Sequence, residues 1–106
     1  MSILLKSPLE SLILSTTSTS EISYSIEYGV ILRGETTVTT TEGLIVTATD
    51  TTIVEYPSPN YKFEITSAYI VNNGVAGNIV QIIKVINGVS HPLLATDIIL
   101  APGEYL

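Results

Sequence analysis

The chain has 106 residues, with 4 Lys plus Arg against 10 Asp plus Glu for a formal net charge of −6, one His, and neither Cys nor Trp. That length encloses one core without disulfides or a structural metal and leaves no room for a second domain. The acidic balance, with Lys6, Arg33, Lys62 and Lys84 scattered along the chain, argues against a nucleic-acid-binding stripe.

Only 13% of residues are charged while 45% are hydrophobic, against roughly 25% charged in an ordinary soluble domain. Some apolar surface is therefore expected to meet other subunits. Ile, Val and Thr together supply 38 residues and Ser and Thr 25, which is the composition of strands rather than helices. Absence of cysteine fits folding in a reducing cytoplasm.

In chain order, Met1 to Pro8 lacks a basic leader, so no secretory signal is read there, and no apolar run is long enough to cross a bilayer as a helix. The expectation is a soluble cytosolic product. Residues 1–9 form either an N-terminal arm or an edge strand. Thr-rich stretches at 15–20 and 36–41 can pair as strands or sit in a neutral interface, because a hydroxyl is cheaper to desolvate than a charge.

Ile22, Tyr24, Ile26 and Tyr28 alternate with Ser23, Ser25 and Glu27, which predicts a half-buried strand. Leu44 to Thr49 reads as another strand, Asp50-Thr51 as a tight turn, and Thr52 to Tyr56 as its return, ended by Pro57 and Pro59. From Lys62 to Val71 the alternation puts Phe63, Ile65, Ser67, Tyr69 and Val71 on one face.

Asn72-Asn73-Gly74 opens a loop, and Ile79 to Ile86 is nearly continuously apolar, as expected of a central strand. Asn87-Gly88 is a hairpin turn, so the chain returns along Val89 to Leu94. Asp97 to Leu100 and Glu104 to Leu106, separated by Pro102-Gly103, read as a short closing pair. About eight short strands without a helix predict one all-β domain over residues 1–106, an antiparallel β-sandwich of jelly-roll-like type.

Chemistry is poorly represented. His91 lacks the sequence neighbours of a nucleophilic or metal site. Glu27, Glu55 or Glu64 could meet across strands as an acid/base pair, but solvent-facing positions explain them better. Asp50 and Asp97 lie in no aspartate-rich calcium loop. No phosphate-cradling glycine loop is present, and no cofactor or metal is expected. Tyr24, Tyr28 and Tyr69 fall at core-facing phases, whereas Tyr56 and Tyr61 flank a Pro-rich loop and are the candidate surface contacts.

Four segments carry a family resemblance: Ser2-Ile3-Leu4-Leu5 before a Ser/Thr stretch, residues 47–54, residues 62–72, and Leu100-Ala101-Pro102-Gly103-Glu104-Tyr105. Together they resemble the small β-rich virion structural proteins, of roughly 100 residues, encoded by many tailed bacteriophages. Arg33-Gly34-Glu35 departs from that pattern. The resemblance implies a non-enzymatic virion component, made in the host cytoplasm. Its expected role is a capsid decoration or cement protein, trimeric, bound to itself and to the major capsid protein, with no nucleic acid or membrane partner. In that role Ile3, Leu4 and Leu5 would reach a neighbour, unless they form only the first edge strand. A neck, tail or baseplate component and a receptor- or glycan-binding module remain the alternatives.

Overall fold

The computed structural model describes residues 3–55, 57–94 and 96–106. Among these the chain forms nine strands and no helix: β1 (Ile3–Leu5), β2 (Glu10–Thr16), β3 (Ile22–Leu32), β4 (Glu35–Ile45), β5 (Asp50–Val54), β6 (Tyr61–Asn72), β7 (Asn78–Ile86), β8 (Val89–Pro92) and β9 (Ile98–Leu100). One antiparallel sheet runs β1-β6-β3-β4 and the other β5-β2-β7-β8, with β9 sharing the β8 edge of β7. Between them lies one core, contributed by Leu5, Ile22, Ile26, Ile45, Ile65 and Ile70 of the first sheet and Leu12, Leu14, Ile53, Val54, Val80, Ile82 and Leu100 of the second. The architecture is the predicted antiparallel β-sandwich.

Local chemistry explains the strands that the sequence made plain. In β3, Ile22 and Ile26 are buried and Tyr24 and Tyr28 pack against the core, as their alternation requires. The strand does not stop at Tyr28. It continues to Leu32 and returns through Arg33 and Gly34, whose φ values of 51° and 83° define a two-residue turn with both central residues left-handed. Asn87 and Gly88, at 49° and 79°, close the β7–β8 hairpin in the same way, as predicted.

Several expectations are corrected. Leu44 to Thr49 is not a strand: β4 comprises Glu35–Ile45, and Thr47 to Thr49 form a bend. Asp50-Thr51 is not a turn but the start of β5. Asp97 to Leu100 and the C-terminal residues do not pair with each other. Instead β9 joins β7, while Tyr105 bridges to Val71 of β6, so the Pro102-Gly103 turn carries the chain from one sheet to the other.

The largest correction concerns β6. Its pairing with β3 slips between Glu27 and Tyr28, which face Ser67 and Ile65, so Thr66 is an extra residue. Such a bulge reverses the side-chain phase of everything beyond it. Phe63 and Ile65 face the core, but thereafter Ile70 and Asn72 do, and Tyr69 turns outward with 47% of its surface exposed.

The two ends of the sandwich are closed by polar groups. At one end Lys84 Nζ lies 3.1 Å from Glu10 Oε1 and donates to the Leu4 carbonyl at 2.8 Å, joining the two sheets. Glu10 Oε2 accepts the Lys6 amide at 3.0 Å. Burial pushes the Glu10 carboxyl up, but hydrogen bonds from Lys84, the Lys6 amide and Ser7, with the Lys84 charge, outweigh it and hold the group below its ordinary value of 4.5. At the other end the fully buried Asn72 accepts from Ser20 Oγ (2.8 Å) and the Gly74 amide (3.0 Å) and donates to the carbonyls of Ala76 (2.8 Å) and Leu100 (2.9 Å). Asn78 does the same for the loop after β2, accepting from the Thr17 and Ser18 amides and donating to the carbonyls of Ser18 and Ser20.

Candidate interaction surfaces

Ile3, Leu4 and Leu5 pair with Ile65, Glu64 and Phe63 and so form an edge strand of the protein's own first sheet. Leu5 is fully buried and Ile3 packs against the core, which commits both to their own domain. Tyr61 is half-buried beside Leu32, and its amide donates to the Ser58 carbonyl. Tyr56 lies outside the described residues.

On the outer face of the first sheet, directly paired residues share a side. Leu44–Ser23–Val71 and Glu42–Ser25–Tyr69 are therefore successive outward rows. Between them is a depression of about 400 Å³ lined by Ser23, Tyr24, Ser25, Glu42, Gly43, Leu44 and Tyr69. Tyr105 extends its apolar rim, since its ring centroid lies 5.4 Å from that of Tyr69. Ser25 Oγ is 3.5 Å from Glu42 Oε1. Tyr69 escaped sequence reasoning because strict alternation placed it inside. Tyr105 had no signal beyond being a tyrosine near the end of the chain.

Farther along the same face a second depression, about 530 Å³, is lined by Ile31, Arg33, Gly34, Asn60 and Lys62. It gathers two of the four basic side chains at the β3–β4 turn, opposite in charge to the Glu42 end.

The outer face of the second sheet has a different character. Its rows are Ser11–Val85–Ser90, Thr52–Ile13–Ile83–Pro92, Asp50–Ser15–Gln81 and Ile79–Ile99. Carboxylates border these rows at Asp50, on the β5 edge, and at Asp97, beside Gln81, while Ile99 and Ile79 are 69% and 37% exposed. Gln81 is satisfied locally, donating to Asp97 Oδ1 and the Leu94 carbonyl and accepting the Leu94 amide. An isoleucine- and valine-rich sheet face with Ile79 and Ile99 open to solvent is a surface suited to a partner.

The groups that could have carried catalysis are dispersed. His91 is exposed on β8 opposite Lys84. Glu27 and Glu64 stand in separate outward rows opposite Ser67 and Gly29, and Glu55 is exposed beyond the end of β5. Among the described residues no three His, Cys, Asp or Glu side chains converge as metal ligands. Compared with known protein families, with curated proteins and with solved structures, the chain matches none.

Proposed function

We propose that this chain is a non-enzymatic structural component of a tailed-bacteriophage virion, a decoration protein that clamps capsid subunits and associates with itself and the major capsid protein. The observation that carries the assembly part of this reading is the aliphatic outer face of the second sheet, where Ile79 and Ile99 are exposed beside half-buried Ile13, Ile83 and Val85. Repeated over a symmetric particle, modest contacts of this kind add to firm attachment without any single large interface. The bacteriophage assignment rests on the sequence resemblance.

The test is to replace Ile79 and Ile99 by Lys and measure incorporation into particles. Both side chains point away from the core, so circular dichroism should be unchanged while copy number per particle falls. Hundreds of copies in the wild type support decoration of the head. About six to twelve copies, the order expected of a symmetric ring, move the protein to the neck, tail or baseplate. Incorporation unaffected by both substitutions removes this face from the reading.

One observation favours glycan binding as a second reading: Tyr69 and Tyr105 form an exposed aromatic platform beside Ser25 and Glu42, which offer hydrogen-bonding groups. Tyr69→Ala with Tyr105→Ala should then abolish retention on a glycan array while leaving particle incorporation intact.

A further inference from the structure

The free edge of β4 is set apart from the rest of both sheets. Among the described residues all other sheet edges are short or capped. β5 has five residues, β8 and β9 divide one side of β7, and β6 is covered by β1 at one end. At its other end β6 is covered by the C-terminal residues, through the Ile70 amide to the Leu106 carbonyl, the Leu106 amide to the Ile70 carbonyl, and the Asn72 amide to the Glu104 carbonyl. Among the described residues β4 alone presents an eleven-residue edge that pairs on one side only. Between Glu35 and Glu42 its sequence is Thr36-Thr37-Val38-Thr39-Thr40-Thr41, without the Lys, Pro or bulge by which natural edges avoid pairing.

We propose that a second copy of this chain pairs with this edge, antiparallel, about a two-fold axis through Val38, making one continuous sheet of two four-stranded halves. Three observations fix the occupant and the register. First, the two-residue turn makes Leu32 and Glu35 the closing hydrogen-bonded pair, so the N–H and C=O of Glu35, Thr37, Thr39 and Thr41 face β3. Those of Thr36, Val38 and Thr40 therefore point to the open side, where Val38 can exchange two hydrogen bonds with its own copy.

Second, a two-fold axis perpendicular to a sheet keeps inner and outer faces distinct, so each residue must meet one of its own parity. The Val38 axis satisfies this by placing Val38, 65% exposed, against Val38 and Thr36 against Thr40. Third, it sets Glu42 of one copy opposite Gly34 and beside Arg33 of the other. The basic depression at the turn thus meets the acidic end of the partner strand. Self-pairing uses both free edges, and the assembly closes at two.

This inference does not depend on the virion reading, and a two-fold contact is distinct from the three-fold association that the resemblance implies. The experiment is light scattering over a dilution series, with circular dichroism as the control for folding. The wild type should approach twice the 11.4 kDa of one chain. Val38→Pro removes an amide that bonds nothing within the domain, a placement proline tolerates on an edge, and should give a folded monomer.

Arg33→Glu should raise the dissociation constant about tenfold, and Arg33→Glu combined with Glu42→Arg should restore it. If Val38→Pro does not fold, the charge-reversal pair decides alone. A wild type that stays monomeric throughout, an oligomer that a folded Val38→Pro leaves intact, or a double reversal that fails to recover association overturns the proposal.

Discussion

Glu10 and Lys84 show how a few polar side chains stiffen a molecule built mainly of threonine and aliphatic residues. Their ion pair is mostly withdrawn from water, at 8% and 18% side-chain exposure, and a third group, the Leu4 carbonyl, completes the coordination of the ammonium. Removing one member of such a pair leaves the other desolvated without compensation, at a cost of about 3 kcal/mol. Because the Glu10 pKa is depressed in the folded state, the stability it contributes is present above the ordinary glutamate value and is lost as pH falls through the lower, folded value. Thermal unfolding should therefore hold steady near neutrality and weaken below pH 4.5. Glu10→Gln should lower the neutral-pH midpoint and remove part of the acid decline; equal acid slopes in both proteins would contradict the assignment. Neither residue announced this role in the sequence, where Glu10 reads as an interruption of an apolar stretch and Lys84 as a break in a central strand.

At the scale of elements, legibility depended on whether the signal was local. The alternation of Ile22 to Tyr28 and the Asn87-Gly88 turn identify β3 and the β7–β8 hairpin without knowledge of the rest. The β3–β4 hairpin is equally local in its physics but carries Arg at the first left-handed position, where Asn or Gly would give the signal. Gly34 holds φ at 83°, and an added Cβ would meet nothing within 4 Å. Gly34→Ala should thus cost about 1 kcal/mol through backbone strain alone, read as a shift of the urea midpoint at constant slope. A larger loss would mean that the turn makes contacts beyond its backbone. The bulge at Thr66 is the opposite case. A one-residue slip has no signature along β6 itself, since it exists only relative to β3, and it alone decides that Tyr69 faces solvent and Ile70 the core.

At the scale of the whole molecule, Asn72 is where separate pieces of chain meet. Its amide oxygen and nitrogen bind the loop before β3, the loop after β6, and β9 of the opposite sheet. Asn72→Ala would remove the partner of four groups, two of them at the buried Ser20 and Leu100, and should cost about 3 kcal/mol, measurable by denaturant unfolding. Asn73→Ala should cost far less, because its side chain makes an exposed bond to Ser23 Oγ. Equal effects would show that Asn72 does not knit the sheets together.

The sequence by itself determined that this is one all-β sandwich rich in threonine and aliphatic side chains, with little equipment for catalysis, because composition and period-two alternation are properties of each segment alone. Only the tertiary structure decided which faces look outward and which edge is free. Those depend on the register between strands far apart in the chain, on one inserted residue in β6, and on the divergence of β9 and the C-terminal residues to opposite sheets. The candidate surfaces Tyr69–Tyr105, Ile79–Ile99 and Val38 all follow from that register. Long-range pairing is chosen by the burial energy of the whole core, and no stretch of sequence contains that sum.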